Sequence, residues 1–227
     1  CTLLRPVSDI TAPDNALVPQ LNPPPTNSTL ASLLRPPWPW LVLGLALASF
    51  VIQLLPAWRA TLLYDRDAIA RAELWRIWTG HLVHFGWPHL VVDVGLLLIV
   101  GTIAEKQHAA FTRLAFVLMP AFISGCMFWL EPGMARYGGL SAVNLGLLLY
   151  VAAQGWRRDW TDWFWPAVIA IYIAELIYEY YRGGQGGGAI RFDDPGIRVA
   201  TGAHLAAAGY VVLALAVSYG RRIKASA

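Results

Sequence analysis

The sequence has little charge. Asp, Glu, Lys and Arg make up only 14% of its 227 residues, whereas they make up about 25% of an average soluble domain. Hydrophobic residues account for 57% of the chain, and 11 residues are tryptophan. This composition excludes an ordinary soluble domain and predicts an integral membrane protein. The net charge of +3 is not gathered into a basic stripe, so nucleic-acid binding is not expected.

Cysteine is also scarce, with one residue in a polar tail (Cys1) and one in an apolar stretch (Cys126). A disulfide between two such positions is not expected. Because Cys1 stands where an initiator methionine would be, we expect a processed or incomplete N-terminus.

Apolar runs and their breaks divide the chain into three parts. Residues 1–37 are rich in Pro, Asn, Ser and Thr and are predicted to be a disordered tail. Residues 38–220 are predicted to form an all-α membrane domain, and residues 221–227 a basic tail. Residues 57–86, too polar to span, are predicted to lie at the interface. Six spans are predicted, near residues 38–55, 88–104, 111–130, 140–153, 163–181 and 200–219.

The fourth of these runs is short and opens on two glycines followed by Ser141. Its 14 residues would span about 21 Å as a helix, less than the ~30 Å hydrocarbon core. Ser141 is therefore predicted to lie below the membrane surface, where irregular backbone must line a cavity. A hydroxyl in such a recess is a candidate nucleophile beside an oxyanion site. The alternative is that Ser141 only caps its helix.

Polar residues of the other spans lie at matching helix ends. His89 and Asp93 fall in the first turns of the second span, and His204 in the first turns of the sixth. With six spans, the second, fourth and sixth run in the same direction, so these residues and Ser141 are predicted to converge. Ionisable residues inside a membrane are functional-site candidates.

His204 is the candidate base for Ser141, because histidine is the usual general base. No carboxylate is evident as a third member, so the sequence predicts a Ser–His dyad. The backbone N–H groups of Ser141 and Leu140 and the side chain of His89 are candidate oxyanion donors. The glycine-rich residues 182–196 are predicted to lie on the same side. They could be a flexible linker or a lid that admits substrate.

An ordered set of motifs resembles the rhomboid intramembrane serine proteases. The set is Trp75-Arg76-x-x-Thr79, His84-Phe85, His89-x-x-x-Asp93, Gly101-x-x-x-Glu105-Lys106, Gly139-x-Ser141 and Ala203-His204. Residues 74–95 look most like the rhombosortase branch. The resemblance covers about residues 38–219, and its specificity lies in the order of the motifs.

The resemblance implies a six-transmembrane-helix rhomboid-like bundle acting as a serine endopeptidase. It implies that Ser141 of the Gly139-x-Ser141 motif is the nucleophile, His204 the base and His89 an oxyanion donor. The residues implied to be structural are Trp75, Arg76, His84 and Glu105. No metal or other cofactor is implied.

The implied partners are the lipid bilayer and a transmembrane or membrane-anchored protein substrate. Rhombosortase-like members are associated with cleaving C-terminal Gly-Gly-type membrane anchors of exported proteins. The implied location is the bacterial inner membrane, with the site open to the periplasm. Loop charges do not decide the orientation, since nine Lys and Arg residues would face one side and eight the other.

Two positions depart from the family pattern. Ala142 replaces the glycine that follows the serine, which could crowd a helix contact. Asp93 stands where many rhomboids have an asparagine that donates to the oxyanion. A carboxylate ~4 Å from an oxyanion would be unfavourable by roughly 4 kcal/mol at an effective dielectric constant of 20. We therefore expect Asp93 to be protonated or to orient His84 or His89, and favour the orienting role because His89 is one turn away.

Two other interpretations stay open. One is a membrane metal site, because imidazole and carboxylate suit Zn or Fe, although no His-Glu-x-x-His motif occurs. Its ligands would be His81, His84, His89 and Asp93. The other is a catalytically inactive rhomboid-like protein that binds transmembrane segments. Retention of Ser141 and His204 disfavours both.

Overall fold

The computed structural model describes residues 38–183 and 199–226, which are mostly helical. The predicted N-terminal tail and most of the glycine-rich residues 182–196 lie outside the described residues. In chain order the helices are α1 (Trp40–Leu54), α2 (Pro56–Leu62), α3 (Arg66–Ala70), α4 (Arg76–Thr79), α5 (Trp87–Leu96), α6 (Thr102–Gln107), α7 (Ala109–Leu130), α8 (Ser141–Arg158), α9 (Phe164–Tyr181) and α10 (Thr201–Ser226).

Shorter elements connect these helices. A 3₁₀ turn (Gly80–Leu82) follows α4, and a π-helical segment (Leu97–Gly101) joins α5 to α6. Strands β1 (Tyr64–Asp65) and β2 (Arg136–Tyr137) pair antiparallel. The β pair ties the connection that follows α2 to the segment that leads into α8.

Three stretches of the described chain are long and apolar enough to cross a membrane, namely Trp87–Gln107, Ala109–Leu130 and Thr201–Gly220. Helices α1 and α2 would add a fourth if counted as one span, but they are bent by 115°. The bend falls at Pro56, the first residue of α2, where proline fits because the first helical N–H needs no partner. The number of six spans therefore stays a prediction.

Helix α8 is longer than the sequence indicated. It has 18 residues, about 27 Å, and continues through Gly155, so the predicted end near residue 153 was wrong. Gly155 serves close packing, because a Cβ there would lie only 2.6 Å from Nε1 of Trp165. At about 27 Å, α8 nearly matches the ~30 Å hydrocarbon core, so the length of this helix alone does not place Ser141 below the membrane surface. Likewise α10 does not end before a basic tail but remains helical to Ser226.

The core lies where α8 packs against α7 and α10. Small residues let these helices approach closely. A Cβ at Gly146 of α8 would lie 2.6 Å from the sulfur of Met119 and 3.4 Å from Cβ of Ala207. Ala142, the predicted source of crowding, is fully buried in this core. The close approach of α8 and α10 brings their N-terminal ends together.

Buried Arg76 holds the interfacial connection together. Its Nε donates to Glu73 Oε2 at 2.7 Å, and its Nη1 donates to the carbonyl oxygens of Ala60 and Leu63 at 3.0 and 2.8 Å. Three acceptors satisfy a buried guanidinium whose desolvation would otherwise be costly. Trp75, by contrast, is half exposed, and its Nε1 lies 3.3 Å from the carbonyl oxygen of Thr61.

Glu105 in α6 fastens the start of α1. Its carboxylate accepts from the backbone N–H of Val42 at 3.1 Å and of Leu41 at 3.4 Å. These N–H groups have no partner within their own helix, and a negative charge at a helix N-terminus is favourable. This geometry suits the structural role that the resemblance implies for Glu105.

Candidate active site

Ser141 and His204 meet at the N-terminal ends of α8 and α10. Ser141 Oγ lies 3.0 Å from Nε2 of His204. Leu140, not Ser141, occupies the N-cap position of α8, and no side chain caps the helix. The alternative interpretation of Ser141 as a capping residue is therefore wrong, because its hydroxyl faces an imidazole instead.

The other nitrogen of His204 faces a carboxylate that the sequence analysis did not assign. His204 Nδ1 lies 2.8 Å from Oε2 of Glu179, near the end of α9. The exposed fractions of the two residues are only 4% and 8%. A carboxylate oxygen accepts, so Nδ1 carries the proton and Nε2 presents its lone pair to the Ser141 hydroxyl. The prediction that no carboxylate would be available was wrong.

Two further contacts fix the position of α10 around His204. The Tyr172 hydroxyl of α9 donates to the backbone carbonyl of His204 at 3.0 Å. Gly202 lies against the Glu131 carboxylate, which occupies the space of a Cβ. A side chain at Gly202 would displace Glu131 or the first turn of α10, so the glycine permits this close approach.

A second buried cluster surrounds Asp93 in α5. Its Oδ2 accepts from the backbone N–H of Leu140 at 2.8 Å and lies 3.2 Å from Nε2 of both His84 and His89. His84 Nε2 is not aligned for a hydrogen bond to that oxygen. His89 Nδ1 accepts from the N–H of Phe85 at 3.3 Å, so the proton of a neutral His89 is on Nε2. Asp93 therefore bridges α5 to the residue before Ser141.

Asp93 contacts two of the three predicted oxyanion donors. The N–H of Leu140 is directed at Asp93, and Nε2 of His89 faces the same carboxylate. Ser141 N–H belongs to the first turn of α8, where N–H groups lack intrahelical partners. Of the three predicted donors, the backbone of Ser141 is the one that Asp93 does not engage.

Gly139 has the left-handed backbone that turns the chain into α8, with φ of +121°. A Cβ at this position would lie 2.7 Å from His89 Nε2 and 3.1 Å from Asp93 Oδ2. Both observations require glycine, because other residues rarely adopt this φ and the cluster leaves no space. The glycine of the Gly-x-Ser motif thus lets the turn rest on His89 and Asp93.

His81, one of the four candidate metal ligands, is separate from the other three in its contacts. Its Nε2 lies 3.3 Å from the carbonyl oxygen of Pro120 and 3.2 Å from Ser124 Oγ in α7. Burial lowers the pKa of His81 to about 4. Within residues 38–183 and 199–226, no group of three or more His, Cys, Asp or Glu side chains could hold a metal ion.

Comparison with known proteins adds independent information. The family described as "Rhomboid domain" matches residues 71–220, a stretch that contains both histidine clusters and Ser141. Similar proteins include those named Rhomboid protease GlpG from Klebsiella pneumoniae subsp. pneumoniae and from Klebsiella pneumoniae strain 342. Each is 24% identical over 192 residues, which cover 82% of this chain and 65% of the relative. The chain therefore spans slightly less than two thirds of the length of these relatives.

Proposed function

Because the chain belongs to the rhomboid family, we propose that it is an intramembrane serine endopeptidase with Ser141 as nucleophile and His204 as general base. The observation that carries the proposal is the 3.0 Å separation of Ser141 Oγ and His204 Nε2. This separation is within the hydrogen-bond reach that a nucleophile and its base require.

In the proposed reaction, Ser141 Oγ attacks the carbonyl carbon of a substrate peptide bond while its proton moves to His204 Nε2. The tetrahedral intermediate collapses, His204 gives the proton to the leaving amine, and an ester remains on Ser141. Water, activated by His204, then releases the acid product. An amine in place of water would instead transfer the acyl group to a new partner.

The developing oxyanion needs donors that are already in position. The N–H of Ser141 lies at the positive end of the α8 dipole, which makes it the first proposed donor. Leu140 and His89 would contribute if substrate binding drew them away from Asp93. Until then, we propose that Asp93, His84 and His89 hold the turn at Gly139 in place.

The proposed substrate is a transmembrane or membrane-anchored protein cleaved at or near its membrane segment. Cleavage of C-terminal Gly-Gly-type anchors from exported proteins, in the inner membrane with the site facing the periplasm, is the finer proposal. It rests on the likeness of residues 74–95 to the rhombosortase branch. A reconstituted reporter with such an anchor should then be cut faster than one whose transmembrane segment lacks the glycine pair. Equal cutting of both would restrict the proposal to general intramembrane proteolysis.

Labelling by a fluorophosphonate probe tests the nucleophile directly. In detergent, the parent protein should acquire one adduct on Ser141, located by peptide mass spectrometry. Ser141→Ala should give none, and His204→Ala should label about a thousandfold more slowly or not at all. Thermal unfolding of each variant verifies folding. An unlabelled but folded parent would rule out an activated serine.

A second candidate is a rhomboid-like protein that binds transmembrane segments without cutting them. One observation favours it, because Asp93 accepts from the Leu140 N–H that the oxyanion would otherwise use. This candidate predicts an unlabelled parent that still co-purifies with a reporter carrying a transmembrane segment. Capture together with labelling would favour the protease.

A further inference from the structure

We propose that Glu179 of α9 is a positioning residue for His204, so that the site works as a Ser141–His204–Glu179 triad. This inference rests on the proposed function of Ser141 and His204 and adds a third member to it. The two nitrogens of His204 contact different partners. Glu179 Oε2 lies 2.8 Å from Nδ1, and Ser141 Oγ lies 3.0 Å from Nε2. One imidazole therefore connects a buried carboxylate to a hydroxyl.

The packing of α9 argues that this contact is specific. Along the whole helix, Phe164–Tyr181, the only buried residues are Tyr172 and Glu179. Both are bonded to His204, one to its carbonyl oxygen and one to its ring. A buried acid in a membrane domain is costly unless it is paired. Glu179 pairs with His204, the residue whose orientation the proposed chemistry requires.

Glu175 provides an internal comparison, because it lies one turn earlier on the same helix and is exposed. Two carboxylates of the same length and the same helix thus have different environments. If Glu179 were present only to make α9 polar at its end, an exposed position like that of Glu175 would serve. Its burial against Nδ1 instead indicates a role for the ring.

Glu179 has three consequences for catalysis. It holds the proton on Nδ1, which leaves the Nε2 lone pair free to accept from Ser141. It prevents rotation of the ring away from Oγ. It also stabilises the imidazolium that forms when the serine proton reaches Nε2. The Nδ1 proton stays on His204 throughout and is not transferred to Glu179.

The test measures the inactivation of the full chain by the fluorophosphonate probe at several probe concentrations. This separates the maximal rate of adduct formation from the probe concentration at half-maximal rate. Glu179→Ala should lower the maximal rate about a hundredfold or more and leave the half-maximal concentration unchanged. Glu179→Gln, which keeps the shape, should also lose rate, and Glu179→Asp should recover part of it. Added formate should partly restore Glu179→Ala, because it can occupy the vacated carboxylate position.

Two control variants distinguish an effect on the orientation of the His204 ring from an effect on the packing of α9 against α10. Glu175→Gln should behave as the parent protein, and Tyr172→Phe, which removes only the bond to the His204 carbonyl, should lose no more than a few-fold. Parent-like rates for both Glu179→Gln and Glu179→Ala would overturn the inference. The inference would also be overturned if the Glu179 variants changed only the half-maximal probe concentration and not the maximal rate. A fall in the maximal rate of Tyr172→Phe equal to that of Glu179→Gln would overturn it too. A labelled parent with parent-like Glu179 variants leaves the proposed function standing, whereas an unlabelled parent overturns both.

Discussion

Two of the buried histidine–carboxylate pairs in the described part of the chain use the imidazole in opposite ways. In the pair of α9 and α10, Nδ1 of His204 faces Glu179 and Nε2 faces the hydroxyl of Ser141. In the pair within α5, Nε2 of His89 faces Asp93 and Nδ1 accepts a backbone N–H. The first ring has one nitrogen directed at the hydroxyl of the proposed nucleophile, whereas the second has both nitrogens engaged by the scaffold.

The role of a histidine beside a carboxylate thus depends on the partner of its second nitrogen. His204 can take a proton from Ser141 because its Nε2 lone pair is directed there. His89 instead anchors the Asp93 carboxylate, which holds the N–H of Leu140. The two pairs meet at the turn before α8, one on the side chain of Ser141 and one on the backbone that precedes it. Substitutions at this turn and at each pair can therefore test whether one pair takes part in proton transfer and the other holds the turn in place.

Among changes at the turn and in the Asp93 cluster, the largest effect is expected from Gly139→Ala. An alanine with φ of +121° is strained, and its Cβ would lie 2.7 Å from His89 Nε2, so the turn must shift. A displacement of ~1 Å at a nucleophile can cost about a hundredfold in rate. We expect that loss in the maximal rate of fluorophosphonate labelling.

The matched control is Gly125→Ala in α7, where a Cβ would meet nothing within 4 Å. This variant should label at the rate of the parent protein. Unchanged labelling of Gly139→Ala would mean that the turn tolerates displacement and that the Asp93 cluster does not position Ser141.

A smaller effect is expected from Asp93→Asn. The amide oxygen can still accept from the N–H of Leu140, but a neutral acceptor is weaker than a charged one by about 1 kcal/mol, which corresponds to roughly fivefold in rate. Labelling should fall by this factor, less than for Glu179→Ala. Preserved or faster labelling would instead indicate that Asp93 lies at the oxyanion and that its charge opposes catalysis.

Among the described residues His81 has no carboxylate partner, and its buried ring makes it a test of stability rather than of the proposed chemistry. Its pKa of about 4 in the folded protein lies below the value of about 6.5 in an unfolded chain. The folded state therefore binds fewer protons, and stability present above pH 6.5 is lost as pH falls toward 4. Between pH 6.5 and 5 the loss should be about 2 kcal/mol.

Thermal unfolding of the parent and of His81→Gln over this pH range measures the effect. The variant should show a flatter dependence of its unfolding temperature on pH. Parallel curves for the two proteins would show that His81 does not titrate on unfolding.

Several features were accessible to the sequence because they depend on local spacing. Composition identified an integral membrane protein, and the ordered motifs identified the rhomboid family, which the family match confirms. His89 and Asp93 could be paired in advance because four residues make one helical turn. The rhombosortase branch, the six spans and the location remain predictions.

Other features misled because local signals were ambiguous. The fourth span was predicted to end near residue 153, yet α8 continues through Gly155, which admits the indole of Trp165. A glycine that ends a helix and one that admits a neighbouring ring look the same in a sequence. The four candidate metal ligands shared a short segment, but His81 lies against α7 while the others surround Asp93.

The membrane environment, the family and the choice of Ser141 and His204 as candidates could be predicted from the chain alone, because hydrophobicity and motif order are properties of the sequence. The contact of Glu179 with His204 became visible only in the folded molecule. Glu179 lies 25 residues from His204 on a different helix, and nothing in its spacing distinguishes it from Glu175. The packing of α9 against α10 buried one acid against Nδ1 and left the other exposed. A contact between helices is chosen by how they pack, which no local pattern encodes.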